Sequence, residues 1–74
     1  MTAPAAEFIA QLQQERRCGN VSGETELHLE HEFRKLGRDA SVPTLSATVG
    51  SEIDRLKREA ETLGRLRDTV FGVA

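Results

Sequence analysis

The sequence predicts an all-α fold, either a short helical hairpin or a three-helix bundle with a long C-terminal helix. Two observations predict it: apolar residues recur every three or four positions through most of the chain, and glycine or proline separates the periodic segments. The 74 residues are expected to form a single small domain over residues 1–74, because such a chain buries only about 60% of the surface that its unfolded form exposes.

The first helix is predicted at about residues 5–17. One helical face carries Ala5, Phe8, Ile9 and Leu12, and polar residues occupy the other. Pro4 suits the first turn, since its missing N–H would be unpaired there anyway. A glycine–asparagine pair follows and is expected to end the helix.

The second helix is predicted at about residues 23–36. Ser22 is a candidate N-cap, and Leu29, Phe33 and Leu36 lie on one helical face. Residues 25–33 also alternate at every second position between mostly apolar side chains and polar ones, which is typical of a half-buried strand. Glutamates disfavour a strand and the helix caps favour a helix, so the helix is preferred.

The final segment is predicted to be one long helix, straight or bent, over about residues 44–71, after a connector at 37–43. Gly50 is a candidate break, and Ser51 directly after it is able to cap a fresh start, so a short helix followed by a long one is the alternative. The apolar residues that step by three or four along this segment are Leu45, Val49, Ile53, Leu56, Ala60, Leu63, Leu66 and Val70.

The composition excludes several function classes. Ten Lys and Arg against twelve Asp and Glu give a net charge of −2, which provides no overall attraction for nucleic acid. One cysteine cannot form an internal disulfide. No apolar run approaches the roughly 20 residues that span a bilayer, and the start lacks the pattern of a signal peptide. A cytoplasmic protein without a membrane partner is expected.

One cluster has metal-ligand chemistry. On a helix, the spacing lets three or four of these residues share one side: Glu24, His28, His31 and Glu32. The spacing matches neither HExxH nor the ExxH arrangement of di-iron bundles, so a solvent-facing polar stripe is the preferred interpretation and no metal or cofactor is expected.

No pattern indicates an enzyme. Cys18 has no flanking nucleophile motif, and the serines lack a G-x-S-x-G context. The six glycines form no phosphate-binding loop. We therefore expect a protein without catalytic activity.

The C-terminal half has one resemblance to a known family. Residues 44–49 alternate like a short strand, a helical segment follows, and Asp68 is placed to open another helix. This resembles the ribbon–helix–helix fold, which implies an α fold with a short β-strand and a dimeric DNA-binding transcriptional regulator. The implied strand offers only Thr44, Ser46 and Thr48 for base contacts.

The preferred function is a small module that binds another protein through an apolar helical face, as an adaptor, regulator or chaperone-like binder. A long helix with more apolar surface than two short helices cover also predicts a homo-oligomer, most simply a dimer. For the same side chains, a place in a simple core is favoured over contact with a partner. The predicted partner contacts are Leu56, Leu63, Leu66, Val70, Phe71, Phe8, Ile9 and Leu12.

The C-terminal tail is expected to dock rather than remain in water. Val70, Phe71 and Val73 are large apolar groups that gain nothing from exposure. The tail is predicted to pack on the first helix near Phe8 and Leu12, or against a neighbouring subunit.

Overall fold

Four α-helices make up the fold in the computed structural model, which describes residues 3–37 and 39–72 and shows no strand among them. The helices are α1 (Pro4–Arg17), α2 (Gly23–Leu36), α3 (Val42–Arg55) and α4 (Ala60–Phe71). The predicted all-α class is confirmed. Residues 25–33 and 44–49 are helical, so the strand alternatives, including the one implied by the ribbon–helix–helix resemblance, are wrong.

The helix starts follow from local capping. Ser22 Oγ accepts the Thr25 N–H at 3.2 Å to begin α2, and Ser41 Oγ accepts the Thr44 N–H at 3.3 Å to begin α3. These contacts satisfy N–H groups that lack partners within the first turn. Gly37 ends α2 with φ 86°, a backbone conformation that favours glycine. The connector between α2 and α3 is therefore shorter than the predicted 37–43, because Ser41 is already the cap.

The predicted long C-terminal helix is wrong in one respect: it is two helices, separated at residues 56–59. The break does not fall at Gly50, which lies inside α3, where a side chain would meet Arg67 of α4 at 3.5 Å. A straight helix over residues 42–71 would be about 45 Å long at 1.5 Å per residue. The two shorter helices instead pack on each other and cover each other's apolar residues.

Glu59 holds this break in place. Its carboxylate accepts the backbone N–H of Ser22 and the Thr25 hydroxyl at 3.0 Å. The α3–α4 connector is therefore attached to the start of α2, where the unpaired N–H groups and the helix dipole favour a negative charge. In a continuous helix, Glu59 would lie on the surface that extends from α3. Here its carboxylate stabilises the start of α2 instead.

The helices form a closed ring around one core. α1 packs between α2 and α4, and α3 packs between the same two helices on the other side. All four helices and the α1–α2 turn contribute buried side chains, which keep the ring together by removing apolar surface from water. The buried apolar residues are Phe8, Leu12, Val21, Leu29, Phe33, Leu45, Val49, Leu63 and Leu66.

The three phenylalanines gather in this core. The Phe8 ring lies 5.4 Å from that of Phe33 and 5.3 Å from that of Phe71, centroid to centroid. The Phe8 and Phe71 rings are nearly parallel, at 8°. The predicted docking of the tail on the first helix is thus confirmed for Phe71, whereas Val73 lies outside the described residues.

Polar contacts join neighbouring helices at the edges of the core. Arg16 Nε donates to buried Glu26 at 2.6 Å between α1 and α2. Arg65 Nη2 donates to Glu15 at 2.9 Å between α4 and α1. Among the described residues, no helix is both long and apolar enough to span a bilayer.

Candidate functional site

An apolar groove lies between the first half of α1, the second half of α2 and the connector to α3. We call it the α1–α2 groove. Its volume is about 570 Å³, within the range of roughly 300–1,000 Å³ that is common for binding pockets. Its apolar side chains come from three helices and the connector, and they are Ala3, Pro4, Ala5, Ala6, Ile9, Phe33, Ala40 and Leu45.

Small residues create the groove. Ala5 and Ala6 line it from α1, and Gly37 and Ala40 line it from the end of α2 and the connector. Larger side chains at these positions would occupy the space that the helices leave between them. The lining also includes the core residue Phe33, which is only 6% exposed. The floor of the groove is therefore part of the core.

Two charged residues of α2 also line the groove. Glu30 and Arg34 are one helical turn apart and therefore lie on the same side of α2. Glu30 accepts a hydrogen bond from Gln13 Nε2 of α1 at 3.2 Å. Arg34 is exposed and makes no ion pair with any residue in the ranges 3–37 and 39–72. Within the ranges 3–37 and 39–72, the groove thus has an apolar interior and one cation available to a ligand.

A second cluster, which we call the Glu52 cluster, lies between α2 and α3. Glu52 is only 4% exposed, and its Oε1 lies 2.7 Å from His28 Nδ1 and 3.4 Å from Arg55 Nη1. Arg55 Nη1 is also 3.3 Å from His28 Nε2. A buried carboxylate is costly unless it is paired and hydrogen-bonded, and here both conditions are met.

The partners assign the tautomer of His28. The arginine side chain has only donors, so His28 Nε2 accepts from Arg55. The ring proton then lies on Nδ1, which donates to Glu52. All three side chains hydrogen-bond to one another, and no ring nitrogen of His28 remains free to act as a base or a ligand.

The predicted histidine–glutamate stripe is therefore divided. His28 makes its hydrogen bonds to α3, and His31 is exposed on α2. Within the described part of the chain, no three His, Cys, Asp or Glu side chains are placed to hold a metal ion. The contact with Glu52 could not be found from helical spacing, because Glu52 is on another helix.

The Glu52 cluster is expected to be structural, and one pair of variants tests this. Glu52→Ala removes the acceptor for the His28 N–H and should lower the free energy of unfolding by about 1–3 kcal/mol. Glu52→Gln keeps a carbonyl acceptor at the same position and should lose less. Urea denaturation followed by circular dichroism measures both, and equal losses for the two variants would show that the hydrogen bond contributes nothing.

The structure separates the predicted partner contacts into two groups. Four of them are buried and have almost no surface to offer a partner; they are Phe8, Leu12, Leu63 and Leu66. The other four pack at the edge of the core and are partly exposed; they are Ile9, Leu56, Val70 and Phe71. Only Ile9 lines the α1–α2 groove, and Leu56 instead lines the cleft beside the Glu52 cluster.

No match is found when the chain is compared with protein-family models, curated protein sequences and solved structures. The function is therefore inferred from the geometry of the molecule.

Sequence reasoning missed most of the groove. Phe33 and Leu45 were placed on apolar helical faces but were not among the predicted partner contacts. Of the large apolar side chains that the structure describes, Leu27 at 67% and Leu36 at 39% are the most exposed, and neither was among the predicted contacts. A helical projection of α2 would have shown Leu27 opposite the buried face, but not that it stays uncovered.

Proposed function

We propose that the chain is a non-enzymatic protein-binding module of the cytoplasm, an adaptor or regulator, that receives a short amphipathic helix of another protein in the α1–α2 groove. The observation that supports this is the combination of an apolar groove of about 570 Å³ with small residues on its walls. Helix-in-groove binding uses apolar anchors spaced three or four residues apart, and such anchors need a groove of this kind.

The small walls favour a helix as the occupant. Ala5, Ala6 and Gly37 let the backbone of a partner approach closely, and Ile9 and Leu45 supply apolar contact for its side chains. Burying apolar surface contributes about 25 cal/mol per Å² before the cost of association is subtracted.

Arg34 favours a partner with an acidic residue beside its apolar anchors. The guanidinium lines the groove and has no ion-pair partner among the described residues. A carboxylate of the partner facing it would contribute only about 0.2–1 kcal/mol at an exposed site. Its main effect would be on specificity and orientation.

The alternative of a dimeric DNA-binding regulator receives no comparable support. Its recognition strand was expected at residues 44–49, which belong to α3. The homodimer was expected because one long helix would leave apolar surface uncovered, and α4 covers that surface within the chain. A partner helix in the groove needs neither feature.

A groove-filling variant tests the proposal. The probe is a synthetic amphipathic peptide of about 15 residues with leucines at i and i+4 and a flanking glutamate. In NMR titrations, amide shifts should change for residues lining the groove. Ala6→Arg places a long side chain in the groove from an exposed position and should weaken peptide binding at least tenfold.

Ala10→Arg is the matched control, because Ala10 is exposed on the same helix and does not line the groove. It should bind the peptide as the unmodified chain does, and both variants should melt at the same temperature as that chain. Equal loss of binding in both variants, or shift changes centred elsewhere, would refute the groove as the binding site.

A further inference from the structure

We infer that the α3–α4 connector is a hinge through which two copies of this chain exchange α4, forming a dimer in which residues 42–71 are one continuous helix. This inference goes beyond the proposed function, because it does not involve the groove. It involves the apolar surface that α4 buries within its own chain. The occupant of that surface in the dimer is α4 of the second copy.

The connector contains nothing that breaks a helix. Residues 56–59 read Leu-Lys-Arg-Glu, four residue types with high helix propensity, and neither glycine nor proline is present. Leu56 nevertheless has φ −112° and ψ 149°, an extended conformation. Local preference and observed structure disagree here, so tertiary contacts must hold the connector in its present form.

The apolar pattern continues in register through the connector. Ile53 in α3 and Leu56 in the connector are followed by Ala60 and Leu63 in α4, at steps of three, four and three. Such steps stay on one face of an α-helix. If residues 56–59 became helical, the core-facing residues of α3 and α4 would form one uninterrupted stripe.

Glu59 is the contact that opposes this change. Its carboxylate is bound to the Ser22 N–H and the Thr25 hydroxyl of α2. A continuous helix would carry Glu59 away from α2 of its own chain and break both hydrogen bonds. The exposed neighbours Lys57 and Arg58 make no hydrogen bond or ion pair with the described residues and offer no further restraint.

The exchange keeps the rest of the fold unchanged. The contacts that α4 makes with α1, such as Phe71 on Phe8 and Arg65 with Glu15, would form between copies with the same geometry. Domain swapping requires little energy for this reason, and short hinge connectors favour it. The balance between monomer and dimer therefore depends on the connector and on protein concentration.

Glu59→Ala tests the inference by removing the contact that opposes exchange. The variant removes charge-assisted hydrogen bonds that stabilise the monomer, and this should favour the dimer about tenfold for each connector. Each dimer contains two connectors, so the dimer dissociation constant should fall about a hundredfold. Sedimentation equilibrium between about 10 and 1,000 μM covers the expected range. Glu61→Ala is the matched control, because Glu61 is exposed and makes no ion pair or side-chain hydrogen bond among the described residues.

Lys57→Pro supplies the opposite change. Proline disfavours a helix through the connector, and the extended Leu56 before it already has the conformation that a residue preceding proline adopts. The proline variant should stay monomeric throughout, and adding it to Glu59→Ala should restore the monomer. If Glu59→Ala loses helical content, Glu59→Gln serves in its place. It should lower the dimer dissociation constant too, but by less.

The outcomes separate clearly. A dimer of Glu59→Ala that disappears when Lys57→Pro is added supports exchange through a straightened connector. A dimer that persists with the proline, an equally strong dimer of Glu61→Ala, or monomers of both Glu59 variants up to about 1 mM would overturn the inference.

Discussion

Phe8→Ala is expected to lower the free energy of unfolding by about 3–5 kcal/mol, the usual cost of removing a fully buried phenylalanine. Phe8 is 0% exposed, and its ring contacts those of Phe33 and Phe71. Small domains have a total stability of roughly 0.05–0.15 kcal/mol per residue. The variant should therefore lose a large share of the stability of the chain, which urea denaturation followed by circular dichroism would measure.

Leu27→Ala is the control for this prediction. Leu27 is also a large apolar side chain on a helix, but it is 67% exposed, so its loss should change the free energy of unfolding by no more than about 0.5 kcal/mol. If the two variants lost similar stability, the phenylalanine cluster would not be the centre of the core.

Removing residues 70–74 is the second change expected to have a large effect. The truncation deletes Val70 and the Phe71 ring that is stacked on Phe8 at 5.3 Å. Burial of that ring is worth roughly 2 kcal/mol, and the aromatic contact adds about 0.5–1.5 kcal/mol. Each kcal/mol of lost stability lowers the melting temperature of a chain of this size by about 4–8 °C. The melting temperature should therefore fall by at least about 8 °C.

Phe71→Leu separates the ring from the rest of the tail. Leucine fills part of the same space without the aromatic contact, so this variant should lie between the full chain and the truncation. A truncated protein that melts like the full chain would mean that Phe71 contributes no packing energy.

The first two helices could be predicted closely from the sequence, because their limits are set locally. The predictions of about 5–17 and 23–36 compare with Pro4–Arg17 and Gly23–Leu36. Ser22 and Gly37 act through hydrogen bonds and backbone angles within one turn of their own helix. Such determinants are visible in a short stretch of sequence.

The division between α3 and α4 could not be predicted in the same way. Gly50 and Gly64 are the weakest helix formers of residues 44–71 and yet lie within α3 and α4, whereas the helix-favouring residues 56–59 form the connector. The deciding contact joins Glu59 to Ser22 and Thr25, which are distant in sequence. Long-range contacts override local propensity here.

The site was predicted least well, for two reasons. Periodicity identifies apolar faces but does not distinguish a core from an interface, so Leu63 and Leu66 were assigned to a partner and are buried within the chain. A groove is a property of space left empty between elements. That Ala5 and Ala6 line the groove is seen only once the positions of the helices are known.

The arrangement of the ring has a consequence for how the chain folds. α1 and α4, the helices most distant in sequence, pack directly against each other, and α4 covers the α1 face that carries Phe8. During synthesis, which proceeds from the N-terminus at about 5–20 residues per second, that face stays uncovered until α4 has been made. The first three helices therefore lack a complete core, and we expect native structure to form in one cooperative step once α4 has been synthesised.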